Sequence, residues 1–290
     1  MCSRQFVLAK RVVVGVLVAV AFGTVVSADH AWGNYHWARS SNPVNLTLGK
    51  NFGQHWGTHF AVALTDWNKA NDVLRLDGVD GRTSPKPCKA ADGNIEVCGD
   101  SYGNNGWLGL AQIWVSGNHI TKAVAKMNDF YMGPNGFAPY NQPEWRQLVM
   151  CQEIGHDFGL GHTDEDFGNV NDGTCMDYTD DPDGSIKGQL DNQHPNNHDY
   201  QQLSAIYTHS DGGEGDGGGG DCNPRSPKCS GAAPPAFDME LPAIGQWGRL
   251  LRTSPDGGQS MFVQDFGNGH RVYTHVTWTL EVAERLRTGR

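Results

Sequence analysis

The chain has 290 residues and a formal net charge of −10. Its first 28 residues carry three basic groups (Arg4, Lys10, Arg11) and no acid, so the remainder stands at −13, which argues against nucleic acid as a partner. Seven cysteines, six of them beyond Cys2, point to an oxidising compartment.

In chain order, the basic start is followed by an apolar run, Val12 to Val26, and by Val26-Ser27-Ala28, a small-residue cleavage site. Residues 1–28 are therefore expected to be a secretory signal peptide and the protein to be extracellular. The apolar run is short for a spanning helix, and no other stretch is long and apolar enough for one, so no membrane association is expected after cleavage. Val44-Asn45-Leu46-Thr47-Leu48 alternates as a first strand. Trp56 to Ala70 reads as a helix, with Phe60, Ala63, Leu64 and Trp67 at helical spacing. Further strands are expected at 73–76, 95–98, 110–115 and 120–127, the last with Lys122 and Lys126 on the face opposite Ala123, Ala125 and Met127.

The chemistry-bearing stretch is Cys151-Gln152-Glu153-Ile154-Gly155-His156-Asp157-Phe158-Gly159-Leu160-Gly161-His162. A helix is expected to lead into it: Pro143 suits a first turn, Glu144 favours the N-terminus, and Trp145, Leu148 and Val149 form an apolar stripe. Residues four apart share a helix face, so Gln152 and His156 point the same way. Gly159 tolerates the sharp turn that brings His162 back. Further on, Gly173-Thr174-Cys175-Met176-Asp177-Tyr178 and a helical 199–207 follow.

From Glu153 onward the stretch resembles the zinc-binding motif of the metzincin metallopeptidases, H-E-x-x-H-x-x-G-x-x-H, with Gln152 in place of the first histidine. The segment around Met176 resembles the Met-turn beneath the metal of that family, and Tyr178 matches the tyrosine that astacins and pappalysins carry there. Residues 199–207 resemble the last catalytic-domain helix of matrixins. The resemblance covers about residues 30–210 and implies an α+β fold: a twisted five-stranded mixed sheet, an active-site helix, a Met-turn and a C-terminal helix. It implies Zn2+ held by Gln152, His156 and His162, with Glu153 as general base toward a metal-activated water and Tyr178 near the oxyanion. Tyr178 reads equally as a hydrogen-bonded wall residue. The strand at 110–115 would be the sheet edge along which a peptide substrate lies. The implied function is hydrolysis of internal peptide bonds in proteins by a monomer.

Gln152 leaves three outcomes open. Its amide oxygen coordinates weakly and the chemistry survives; another side chain such as Tyr178 completes the site; or the metal is lost and the fold is a secreted binding protein without catalysis. An amide oxygen also tilts the site toward a harder metal. Fewer than about twenty residues separate the cleavage site from the first strand, so a matrixin-like inhibitory propeptide is not expected. His194, His198 and His209 read as surface or helix-end residues.

Proximity pairs Cys88 with Cys98 and Cys222 with Cys229, out of fifteen possible pairings. The family resemblance implies the third pair, Cys151–Cys175, joining the active-site helix to the Met-turn. The acids near 164–166 and 180–183 are candidate Ca2+ loops, against the plainer reading of solvated acidic loops. Residues 29–210 are thus expected as the peptidase-like domain and 211–235 as a Gly/Asp- and Pro-rich linker. Residues 236–290 are expected as a small β module whose strands lie at 249–252, 260–263 and 271–278.

Overall fold

The computed structural model describes residues 30–70, 72–164, 166, 168–211 and 233–289. The expected signal peptide and the Cys222–Cys229 pair lie outside them. Nine strands and five α-helices follow in order: β1 (His36–Trp37), β2 (Val44–Asn51), α1 (Gly57–Trp67), β3 (Leu74–Asp80), β4 (Asn94–Asp100), β5 (Trp107–Ser116), β6 (His119–Asn128), α2 (Asp129–Met132), α3 (Pro143–His156), α4 (Asn197–Ile206), β7 (Arg249–Thr253), β8 (Gln259–Gly267), β9 (His270–Trp278) and α5 (Leu280–Thr288). The fold is mixed α+β around one large mixed sheet.

The sheet runs β3-β2-β4-β6-β5-β9-β8-β7, with β1 paired to the start of β6. The β3, β2, β4 and β6 pairings are parallel, as is β1 with β6, and those from β6 through β5, β9 and β8 to β7 are antiparallel. Nearly every residue of β5 is buried, because both faces of the sheet are covered at its centre. One face carries the main core, built with Trp56, Phe60 and Trp67 from around α1 and Leu148, Val149 and Ile154 from α3. The other carries a second core of Trp107, Trp114, Val124, Val276 and Trp278, closed by Phe237, Leu241 and Trp247.

Two expectations are corrected here. The sheet has nine strands rather than five, and the C-terminal strands extend it instead of forming a module of their own. Strand β5 is no edge: β9 pairs with it along its length, from Trp107↔Trp278 to Ser116↔His270. The reason is physical. A ten-residue edge buried on both faces would leave a row of unsatisfied backbone groups, and β9 supplies the partners.

Helix α3 begins as the sequence suggests, with Pro143 in its first turn and Glu144 beside it. It ends at His156, and the chain turns through Gly159 at φ +95°, a conformation that favours glycine. Met176 lies directly against this helix. A Cβ on Gly155 would stand 2.5 Å from Met176 Sδ and 2.8 Å from the Trp67 ring, so only glycine permits the approach. Disulfide Cys151–Cys175 ties the same two segments together, and Cys88–Cys98 fastens the loop before β4 to that strand. Helix α4 starts with a capping box between Asn196 and Asp199, and Asp199 also accepts from Thr174 Oγ1 at 2.5 Å. No described helix is long and apolar enough to cross a membrane.

Candidate metal centre beneath strand β9

Alternation along β9 divides its side chains. Val272, Val276 and Trp278 join the second core, while Tyr273, His275 and Thr277 face α3. His275 thereby meets the two histidines of the motif. Its ring stacks on His156 at 4.1 Å and lies edge-on to His162 at 5.2 Å, and the His156 and His162 rings are perpendicular at 4.5 Å. One ligand atom from each of the three lies within 4.8 Å of the others, and all three residues are buried. Trp32 closes the group, with its ring 4.1 Å from His275 and its Nε1 donating to Met261 Sδ at 3.1 Å.

The electrostatics suit a metal ion. Burial holds His156 and His275 well below the ordinary imidazole range and lowers His162 to about 3, so all three are neutral at physiological pH. His156 Nδ1 donates to Leu160 O at 2.8 Å, which fixes the tautomer and leaves Nε2 as a lone-pair donor. His156 Nε2 and both ring nitrogens of His275 have no hydrogen-bond partner. Buried, neutral nitrogens left in this state are what a divalent ion would satisfy. Zn–N bonds near 2.05 Å set a tetrahedral edge of about 3.3 Å, so loading requires small rotamer shifts within the 4.8 Å spread. A cavity of about 10 Å³, about one water in size, adjoins His162 and His275 and is lined also by Arg252, Gln259 and Met261.

Gln152, the expected third ligand, is engaged elsewhere. Its Nε2 donates to Cys175 O at 3.0 Å, and its Oε1 meets Thr277 Oγ1 at 2.9 Å and Gln259 Nε2 at 3.5 Å. Thr277 Oγ1 also meets Glu153 Oε1 at 2.8 Å. A single hydroxyl proton cannot serve both oxygens, and burial raises Glu153 to about 8. The consistent arrangement is a neutral Glu153 donating to Thr277, which donates to Gln152. Tyr178 is fully buried, and its hydroxyl donates to Trp278 O at 3.0 Å, the wall role that the sequence left open.

The structure thus gathers Gln152, Glu153, His156, His162 and Met176 around the end of α3, adds His275 and Thr277, and sets Tyr178 against Trp278 and Gly258 at the end of β9. Sequence reasoning missed these two because it assigned them to a separate module. The available signal was Tyr273, His275 and Thr277 on one face of a strand whose other face is apolar. His194 pairs with Asp66 at 2.6 Å, and the His198 ring lies tilted against His30 at 4.6 Å. In the acidic loop, Asp181 accepts from the Ile186 and Lys187 amides and Asp180 pairs with Lys187; among the described residues, neither acidic loop gathers three carboxylates. No protein-family model and no curated protein matches the chain. Fold and site define an α+β protein with a buried histidine cluster able to hold a metal ion.

Proposed function

We propose that the chain is a secreted zinc-dependent metalloendopeptidase whose cleft is filled by its own C-terminal strand. The observation that carries this reading is the convergence of His156, His162 and His275 as neutral, buried nitrogens beside the turn that follows Glu153. Two disulfides among the described residues support an oxidising, extracellular compartment.

Zinc held by these imidazoles would polarise a scissile carbonyl and lower the pKa of water at the site. In the closed arrangement Glu153 is neutral and its oxygen is taken by Thr277, so it accepts no proton. Release of β9 admits water to Glu153 and returns its carboxyl toward the ordinary range. Glu153 then takes a proton from the attacking water and passes it to the leaving amine. The same release frees Gln152 Oε1, on the helix face of His156, as a donor in place of His275. It frees the Tyr178 hydroxyl for the oxyanion, and it bares β5 for an extended peptide to pair with. Strand β9 now lies where that peptide would lie.

The test compares cleavage of a mixed peptide library, in added zinc, by the wild-type chain, by His275→Ala/Thr277→Ala, and by that double variant carrying Glu153→Ala. Weakening the hold of β9 should raise cleavage at least tenfold, and loss of Glu153 should abolish it. A folded, zinc-loaded double variant that cleaves nothing would replace this reading with that of a non-catalytic secreted binding protein. The two-sided ladder of β9 and the buried Glu153 are the features that favour that alternative.

A further inference from the structure

A second histidine cluster lies on another part of the sheet. The parallel pairing of β1 with β6 sets His36 directly beside His119. The chain leaving α4 returns to the same place, because Asp211 N donates to Arg39 O at 2.8 Å and Asp211 Oδ2 accepts from Arg39 N at 2.7 Å. Asp211 Oδ1 is left pointing at three imidazoles. It lies 3.2 Å from His36 Nε2, 3.3 Å from His119 Nε2 and 3.4 Å from His209 Nε2, and His209 Nε2 is 3.2 Å from His36 Nε2.

These four separations are near the edges of a coordination shell; His36, His119 and Asp211 each offer a ligand atom within 4.8 Å of the others, and His209 joins them through His36 and Asp211, so loading requires its ring to swing toward His119. Four ligands at Zn–N and Zn–O distances near 2.05 Å stand about 3.3 Å apart along the edges of a tetrahedron. The rings are also arranged edge-on, with His36 at 89° to His119 and 83° to His209, so that nitrogens converge. His36 Nδ1 donates to Asn34 O at 2.7 Å, which turns Nε2 inward as the nitrogen that a neutral ring offers to a metal. Two imidazole nitrogens 3.2 Å apart need a proton or a cation between them, and one carboxylate oxygen cannot accept three full hydrogen bonds in one direction.

We propose that His36, His119, His209 and Asp211 form a structural site for a divalent transition-metal ion, zinc by its ligand chemistry. Three imidazoles and one carboxylate fill all four positions, which makes the site a clasp rather than a reaction centre. It fastens the first strand, the β5–β6 turn and the chain beyond α4 to one another. The site is independent of the cluster beneath β9 and shares no residue with it.

The test measures zinc per chain in the full-length protein and in His119→Ala, His209→Ala and His156→Ala. The side chains of His119 and His209 are 38 % and 40 % exposed, so their removal leaves the core intact. The first two variants should each hold one zinc fewer than wild type, while His156→Ala keeps the ion of this site. Substitution with Co2+ should give the intense visible bands of tetrahedral coordination in wild type and in His156→Ala, with the contribution of this site missing from His209→Ala. Chelation should lower Tm in wild type by more than in His209→Ala. Equal zinc content in wild type, His119→Ala and His209→Ala, with unchanged Co2+ bands, would overturn the proposal. A protein whose metal is lost in His209→Ala but untouched in His156→Ala would sustain this site while removing the metal from the proposed active centre.

Discussion

Lys126 is 3 % exposed on β6, against the second core. Burial lowers its amine to about 8, with Glu240 offsetting part of the shift, and Glu240 is itself raised by burial. Keeping the amine charged at neutral pH therefore costs about 3 kcal/mol. A base depressed in the folded state binds fewer protons there than in the unfolded chain. Stability consequently rises with pH from about 8 toward the ordinary lysine value of 10.5. Lys126→Met with Glu240→Gln removes the buried amine and its half-buried partner and keeps an acceptor for the Ala90 amide. The pair should be about 1–3 kcal/mol more stable than wild type at pH 7 and should lose the alkaline rise, as read by urea unfolding at pH 7 and 9.5. An unchanged rise would mean that another group titrates.

At the scale of elements, β9 has the most consequential position. It satisfies backbone groups of β5 on one side and β8 on the other, while Thr277 holds Gln152 and Glu153. Val276 sits in the middle, opposite Leu110 and Ser260. Proline there removes a ladder donor from a central strand. Val276→Pro should raise amide exchange throughout β5, β8 and β9 by at least tenfold and leave β2, β3 and β4 protected. Uniform loss of protection would show that the two halves of the sheet unfold together. The element also accounts for the hidden state of the site, because the strand that completes the sheet is the one that covers the histidines.

For the whole molecule, cross-links and closures decide stability. Cys151–Cys175 spans 24 residues and joins α3 to the segment of Met176. A loop of that length restricts the unfolded chain by about 3 kcal/mol. Cys151→Ala/Cys175→Ala should lose about that much in denaturant unfolding, with the Cys88–Cys98 loop unaffected. A loss below about 1 kcal/mol would mean that packing of Met176 under Gly155 holds the two segments without the bond.

Local rules determined much of this protein. Apolar alternation and helical spacing located β2 to β6, α1, α3, α4 and the three C-terminal strands to within a few residues, since each depends on neighbours only two to four positions away. The offsets from Gln152 to His162 identified the helix, the turn and two of the clustered histidines for the same reason. Helix α5 was missed, although Thr279 caps it and Gly289 ends it in the left-handed conformation. Tertiary structure alone decided which strands pair. That β9 lies on β5 depends on a contact across some 160 residues, driven by an edge that had to be covered, and no local pattern encodes it. The same long-range closure put His275 and Thr277 into the site and brought His36, His119, His209 and Asp211 to one point.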